Sequence, residues 1–249
     1  MKKMKTSILA VLVVLMFCGP AAAGKYDLEF PSDLANSVLG DLVKEAGLAA
    51  AYRGIAPAEP GGITGFDVAA EVSFINIDND LWDEVIRLGN GSAPGYLAVP
   101  RIHARKGLPF NIDVGASYAQ VLDSNVELAG AELQVALLEG TVATPALSLR
   151  GSYSTLLGVD DLSLDTYAAD AVISKGVLML TPYAGIGVVH IAGKYDGDDP
   201  LLRGVLGDHD YNEVRVFGGV QVALTLLRFT FDVEYSQLPV YTAKISLGF

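Results

Sequence analysis

Several scarcities bound the reading. The 249 residues hold one cysteine, Cys18. It lies in an apolar leader, so no disulfide framework supports the fold. Basic residues are few: 17 Lys and Arg stand against 29 Asp and Glu. That balance argues against a nucleic-acid partner. Histidine occurs only as His103, His190 and His209, which leaves few places for imidazole chemistry. Beyond the leader, no stretch approaches the roughly 20 continuous apolar residues of a spanning helix. Yet mean hydropathy is +0.38. High apolar content without long runs means apolar residues spread in alternation, as the strands of a membrane barrel require.

The leader itself is clear. Lys2, Lys3 and Lys5 precede an apolar run from Ile8 to Phe17, and Ala21-Ala22-Ala23 supplies a small-x-small cleavage site. A signal peptide over 1–23, cut before Gly24, is expected. Phe17 before Cys18 is a poor fit to a lipoprotein site. Removing three lysines leaves 14 basic against 29 acidic residues, net −15.

Residues 24–64 form an N-terminal segment. Pro31-Ser32-Asp33 is a helix start, Leu34, Val38, Leu42 and Val43 make one apolar stripe, and Gly47 is a stop. The pattern predicts a helix over 31–46. Pro57, Pro60, Gly61, Gly62 and Gly65 then mark loop or short strand. Two placements stay open: a periplasmic segment below the barrel, or a plug within it.

From 65 to 249 the period is two. Phe66, Val68, Ala70, Val72 and Phe74 oppose Asp67, Ala69, Glu71 and Ser73. Phe110, Ile112, Val114, Ala116 and Tyr118 oppose Asn111, Asp113, Gly115 and Ser117. Similar segments are Tyr96–Arg105, Asn125–Leu138, Pro145–Leu157, Leu162–Ser174, Val177–Ile191, Glu213–Thr225, Leu227–Ser236 and Tyr241–Phe249. Leu162–Ser174 changes phase near Tyr167, which predicts a bulge. Val177–Ile191 is apolar on both faces. The expected fold is all-β, a membrane-spanning antiparallel up-and-down barrel of about ten strands with a short N-terminal helix. Twelve strands is the alternative, if Leu48–Ile55 and another early strand pair. Asn79–Leu88 reads as a short helix in a loop, and a tight turn is expected at Lys106–Pro109.

The final segment alternates to the end: Tyr241, Ala243, Ile245, Leu247 and Phe249 oppose Thr242, Lys244, Ser246 and Gly248. This ending resembles the C-terminal signature of bacterial outer-membrane β-barrels, in which Tyr241 and Phe249 would serve as the insertion signal. With Phe249 set at the periplasmic side, the two longest connections, 78–95 and 193–212, face outward. The tight turns face inward, as membrane barrels require. Pro57-Ala58-Glu59-Pro60, Gly62–Asp67, Lys106–Phe110 and Asp113-Val114-Gly115 are similar to a proteobacterial family of outer-membrane proteins with no established activity. That resemblance implies location and fold, and no functional residue. The segment before the first strand also resembles the hatch of the larger long-chain fatty-acid transporters.

The polar faces nominate a lumen: Asp67, Glu71, Arg101, His103, Arg105, Asp113, Glu132, Arg150, Arg215, Arg228, Asp232 and Glu234. Buried charges must pair, so a charge lattice filling a closed barrel or a narrow path is expected. Asp196, Asp198, Asp199, Asp208 and Asp210 crowd one outer loop. Carboxylates suit hard cations, but the ordered spacing of a calcium loop is lacking. No Ser–His pair is marked as activated, and Asp208 beside His209 would point away from it in a strand. No catalytic residue and no cofactor are assigned.

The expected protein is therefore a non-enzymatic outer-membrane barrel, porin-like, that passes or binds a small, apolar solute. A structural or surface-binding barrel with an acidic outer loop is the second reading, and an outer-membrane hydrolase the third. Expected partners are outer-membrane lipid and lipopolysaccharide, the barrel assembly machinery during insertion, and a small solute.

Overall fold

The computed structural model describes residues 36–78, 80–82, 95–121, 124–197 and 207–249. The leader with Cys18, the helix start at 31–33, most of the loop helix at 79–88, and Asp198 and Asp199 lie outside the described residues. Among the described residues one helix precedes ten strands: α1 (Asn36–Ala50), β1 (Phe66–Asn76), β2 (Tyr96–Leu108), β3 (Ile112–Gln120), β4 (Glu127–Glu139), β5 (Ala146–Leu157), β6 (Leu162–Ser174), β7 (Leu180–Tyr195), β8 (His209–Leu224), β9 (Leu227–Ser236) and β10 (Leu238–Gly248). Neighbours in sequence pair antiparallel, and β1 pairs with β10, so the sheet closes into a barrel. Closure leaves no sheet edge to satisfy.

The seam is well made. Glu71 lies opposite Lys244 and Phe74 opposite Tyr241. At its foot Phe66 and Phe249 exchange backbone hydrogen bonds of 3.2 and 3.1 Å, and their rings meet edge-on at 4.9 Å. Short turns gather at this seam end. The long connections, 77–95 and 196–208, gather at the other.

Alternate residues point outward and are apolar. Val68, Ile186, Val214 and Tyr235 are each more than half exposed. A belt of this kind around a closed barrel is far larger than the patches that water-soluble monomers leave uncovered.

The helix differs from the sequence expectation. It runs to Ala50 rather than stopping at Gly47. A Cβ at Gly47 would collide with Ile191, so this glycine lets the helix approach the wall and does not end it. Arg53 ends it instead: its guanidinium donates to the carbonyls of Leu48 at 2.7 Å and Ala49 at 2.9 Å. A cation at a helix C-terminus satisfies orphan carbonyls and opposes the dipole. Residues 48–55 form no strand, which removes the route to twelve strands.

The bulge expected near Tyr167 is also absent. β6 pairs β5 and β7 in unbroken register, and Leu162, Leu164, Thr166, Asp170, Val172 and Ser174 all face inward and are buried. What changes along the strand is the chemistry of the inward residue, not the phase. The register shift lies on β4, between Ala136 and Leu138. The turn expected at Lys106–Pro109 falls at Pro109–Asn111, because Lys106, Gly107 and Leu108 still pair with β3.

The described part of the N-terminal segment, from residue 36, lies within the barrel. Gly40 sits beside Tyr211 and His209, and Gly47 beside Ile191. The Ala58 amide bonds Ser174, and the Gly61 amide bonds Asp113. The chain therefore runs down the lumen from the long-loop end to the seam end, where β1 begins.

Candidate functional site in the barrel lumen

The lumen has two chemistries, and the threaded segment explains both. An α-helix satisfies its own backbone, so it presents side chains. Around α1 the inward positions are apolar: Leu39, Leu42, Val43 and Leu48 pack against Ile75, Val99, Leu128, Leu164 and Ile191, among others. Residues 51–61 are neither helix nor strand and have no ladder partner. Their backbone groups must be bonded by something else. Here most inward positions of the wall are polar, apart from a small cluster in which Ala146 and Val172 pack with Ala58 of the thread.

The polar wall meets that backbone directly. Arg215 donates to the Tyr52 carbonyl at 2.8 Å. Arg150 donates to the Gly54 carbonyl and, at 3.1 Å, to that of Ala56. Lys244 donates to the Ile55 carbonyl at 3.0 Å. Ser154 reaches the Ala50 carbonyl at 2.7 Å, and Gln134 that of Ala58 at 3.3 Å.

Carboxylates then balance the cations. Arg215 grips Asp170 with two bonds of 2.8 and 2.7 Å and lies 3.5 Å from Glu234. Glu234 also faces the Arg53 Nε at 3.3 Å. Glu132 is shared by Arg150 at 3.4 Å, Arg105 at 3.6 Å and His103 at 3.6 Å. Arg101 pairs with Glu71 at 3.2 Å and Arg105 with Asp113 at 3.3 Å. Asp67 stands between Lys244 at 3.0 Å and Arg228 at 3.6 Å. Asp232 accepts the Tyr183 hydroxyl at 2.7 Å. The twelve polar positions nominated from alternation thus lie on the inner wall, most of them linked to the thread or to one another, with Glu71–Arg101 and Asp232–Tyr183 as separate pairs.

The sequence reading missed Arg53, Asp170, Tyr183 and Lys244. Lys244 was visible, since it alternates with apolar residues on β10. Asp170 was hidden by the apparent phase change in β6. Arg53 carries no strand signal, although a lone basic residue just past a helix end is a recognisable cap.

His103 is locked. Its Nε2 is 2.7 Å from the Tyr52 hydroxyl, and the residue is buried. His190 is half-buried, 3.1 Å from the Asn212 Oδ1 and 4.0 Å from Asp210. Asp196 pairs with Lys194 at 3.6 Å. Among the described residues no three acids, histidines or cysteines converge to hold a metal.

At the long-loop end, α1 stands off the wall on one side. A cavity of about 50 Å³ opens between Ala46, Ala49 and Ala50 of the helix and Val99, Leu128 and Leu164 of the strands. Ser124 supplies the one aliphatic hydroxyl among its described lining residues, and Trp82 borders it. The Trp82 indole N–H donates to Glu45 at 2.9 Å, and the Asp78 amide donates to the same oxygen at 2.7 Å. Burial holds the Glu45 carboxyl above its ordinary pKa despite these two bonds, and the nearby Asp78 carboxylate adds to the rise. At the seam end a wider, polar mouth of about 410 Å³ is bordered by Glu59, Asp67, Arg105, Asp113, Arg228 and Lys244.

No family model and no curated protein matches the chain. Solved structures similar in fold include a de novo designed transmembrane β-barrel, 12% identical over 78% of this chain and 100% of that one, TM-score 0.33. Neisserial surface protein A is 16% identical over 74% and 97%, TM-score 0.33. Ail of Yersinia pestis, in a phospholipid bilayer nanodisc, is 12% identical over 75% and 99%, TM-score 0.36. The chain itself forms a closed ten-strand antiparallel β-barrel.

Proposed function

We propose that this is a non-enzymatic outer-membrane barrel that binds a small apolar solute at its long-loop end. The outward apolar belt, the strand lengths and the short-turn, long-loop asymmetry support the location, with Phe249 at the periplasmic side and the acidic loops outside. The leader at 1–23 supports export. Binding is favoured over passage because the N-terminal segment occupies the lumen. A non-enzymatic role is supported by His103, whose ring is buried and engaged by Tyr52 and Glu132. A group so enclosed has no room for a reacting atom.

The observation that carries the binding reading is the apolar cavity beside α1. It is several times the roughly 10–15 Å³ that admits one water, but its walls offer little for water to bond. An apolar end fills such a space favourably.

Trp82 is the only tryptophan of the chain, so its fluorescence reports on this place alone. A bromoalkane added to the refolded protein in nanodiscs should quench it saturably, and excess unbrominated alkane should restore it. Quenching that rises linearly without saturation, or that alkane fails to reverse, would sink the reading.

A further inference from the structure

Independently of the cavity beside α1, we propose that the polar mouth at the seam end binds a small zwitterion of short-peptide length, with its carboxylate at Arg228 and its ammonium at Glu59. Space comes first. The thread leaves the lumen tied to one side. The Ala58 amide bonds Ser174 on β6 at 2.9 Å, Gln134 on β4 reaches the Ala58 carbonyl at 3.3 Å, and the Gly61 amide bonds Asp113 on β3 at 3.0 Å. On the other side Thr181, Gln221, Arg228 and Lys244 of β7–β10 help to border a space of about 410 Å³. That lies within the roughly 300–1,000 Å³ of small-molecule pockets. Ala223 stands opposite Arg228 in register, and its short side chain leaves the guanidinium room.

Charge comes second. Six charged side chains border the mouth, and four of them are matched. Arg105 lies 3.3 Å from Asp113. Lys244 lies 3.0 Å from Asp67 and donates to the Ile55 carbonyl at 3.0 Å. Arg228 has only the other oxygen of Asp67, at 3.6 Å, and its Nε is buried without a partner. Glu59 makes no ion pair and no hydrogen bond among the described residues. One cation and one carboxylate are thus left over on the border of one space.

Their placement sets the ligand. Arg228 is on β9. Thr181 on β7 and Gln221 on β8 lie opposite each other in register, and their side chains make no hydrogen bond among the described residues. Glu59 stands at the β7 side, since its Oε1 and the Thr181 Oγ1 each lie 3.8 Å from where a Cβ on Gly176 would be. From Glu59 to Arg228 the mouth therefore runs carboxylate, hydroxyl, amide, guanidinium. Strands β7 and β9 are two strand spacings apart, roughly 10 Å. Three residues of extended peptide span about 10 Å. A guanidinium takes a carboxylate through paired N–H donors, and a carboxylate takes an ammonium. The hydroxyl and amide between them can donate to and accept from the peptide groups of the ligand. A ligand with one charge would meet one partner and one like charge.

The test is calorimetric titration of triglycine into the refolded protein in uncharged maltoside micelles, at neutral pH and low salt, beside N-acetyltriglycine and triglycinamide. Triglycine should saturate. Each capped form should need about tenfold higher concentration, the scale of one hydrogen-bonded charge lost from a wet site. Glycine and phosphoethanolamine, whose opposite charges stand closer together, should also bind more weakly. Arg228→Gln should abolish the difference between triglycine and triglycinamide, and Glu59→Gln that between triglycine and N-acetyltriglycine. Both side chains are half-buried rather than in the core, and heat-modified gel mobility checks that the barrel still closes. If either variant does not close, the peptides still decide on the unaltered protein. No saturable binding of triglycine, or equal binding of the three peptides, would overturn the site. Tighter binding of phosphoethanolamine would overturn the peptide length and make the ligand a lipid head group. A capping penalty that survives its matched substitution would overturn the role of that residue.

Discussion

The two halves of the lumen solve one problem in opposite ways. Toward the long-loop end the enclosed chain is helical, and the wall facing it is Ile75, Val99, Leu128, Leu164 and Ile191. Toward the seam end the enclosed chain is neither helix nor strand, and the wall is mainly Arg150, Arg215, Lys244, Gln134 and the carboxylates that balance them. The strands are the same strands. β6 carries Leu162 and Leu164 in the first half and Thr166 and Asp170 in the second. The inner surface of a filled barrel is therefore written by the hydrogen-bonding needs of what fills it.

The largest effect should come from breaking the polar half. Arg215→Ala leaves Asp170 buried with no counter-charge, leaves Glu234 to Arg53 alone and strips a donor from the Tyr52 carbonyl. Loss of one partner from such a buried set costs about 3–5 kcal/mol. Denaturant unfolding of the refolded barrel would read it, and a loss under about 1 kcal/mol would mean that the lattice is wet and weak.

The apolar half should answer to volume instead. Leu164→Ala is expected to cost about 2–4 kcal/mol, within the range for truncating a buried leucine. The same change enlarges the cavity and should tighten bromoalkane binding. Looser binding would place the solute elsewhere.

A smaller effect separates propensity from packing. In an exposed helix Gly→Ala gains up to about 1 kcal/mol. At Gly47 the added methyl meets Ile191, and overpacking costs about 1–3 kcal/mol. Gly47→Ala should therefore destabilise by about 1 kcal/mol, and Ile191→Ala should offset part of that. A stabilised Gly47→Ala would mean that α1 does not lie against the wall.

The smallest effect is one of pH. A carboxyl whose folded pKa is raised holds its proton longer in the folded state. Its stabilising effect is present below the ordinary carboxylate pKa and is lost as pH rises through the window above it. Glu45 is such a group. Glu45→Gln, which keeps an acceptor for Trp82 and Asp78, should flatten the pH dependence of stability in that window by about 1 kcal/mol or less. An unchanged profile would show that other groups set it. The ends of the thread can be told apart by labelling. Asp41→Cys should react with an impermeant maleimide on intact cells, and Ile63→Cys only after the outer membrane is breached. The reverse pattern would invert the barrel.

The outward face was legible because lipid demands one thing of every strand. Period two in β1, β3, β9 and β10 marked the strands, and the turn lengths set the short-turn end apart from the long-loop end. The lumen was legible only where its residues were polar. In Arg101-Ile102-His103 or Arg228-Phe229-Thr230 the contrast between faces is plain. In Val188–Ile191 it vanishes, because Val189 and Ile191 face the helix and are as apolar as the residues facing lipid. Gly47 misled for a related reason. A glycine that permits close approach and one that ends a helix look alike in one dimension. The cavity was not legible at all, since it depends on how far α1 stands from strands more than fifty residues away.

One feature of the path bears on how the molecule is made. The chain traverses the lumen before its first strand begins, and that strand pairs with the last. Joining β1 to β10 thus draws a ring around the protein's own polypeptide. Were the ring finished first, Leu39, Leu42 and Val43 would have to be pulled end-on past Arg150 and Arg215. With the segment in place first, the strands wrap a ready-made former, and its backbone gives each inward arginine a carbonyl to bind as it arrives. The segment 36–65 is then both what fills the bore and what the closing ring must pass around.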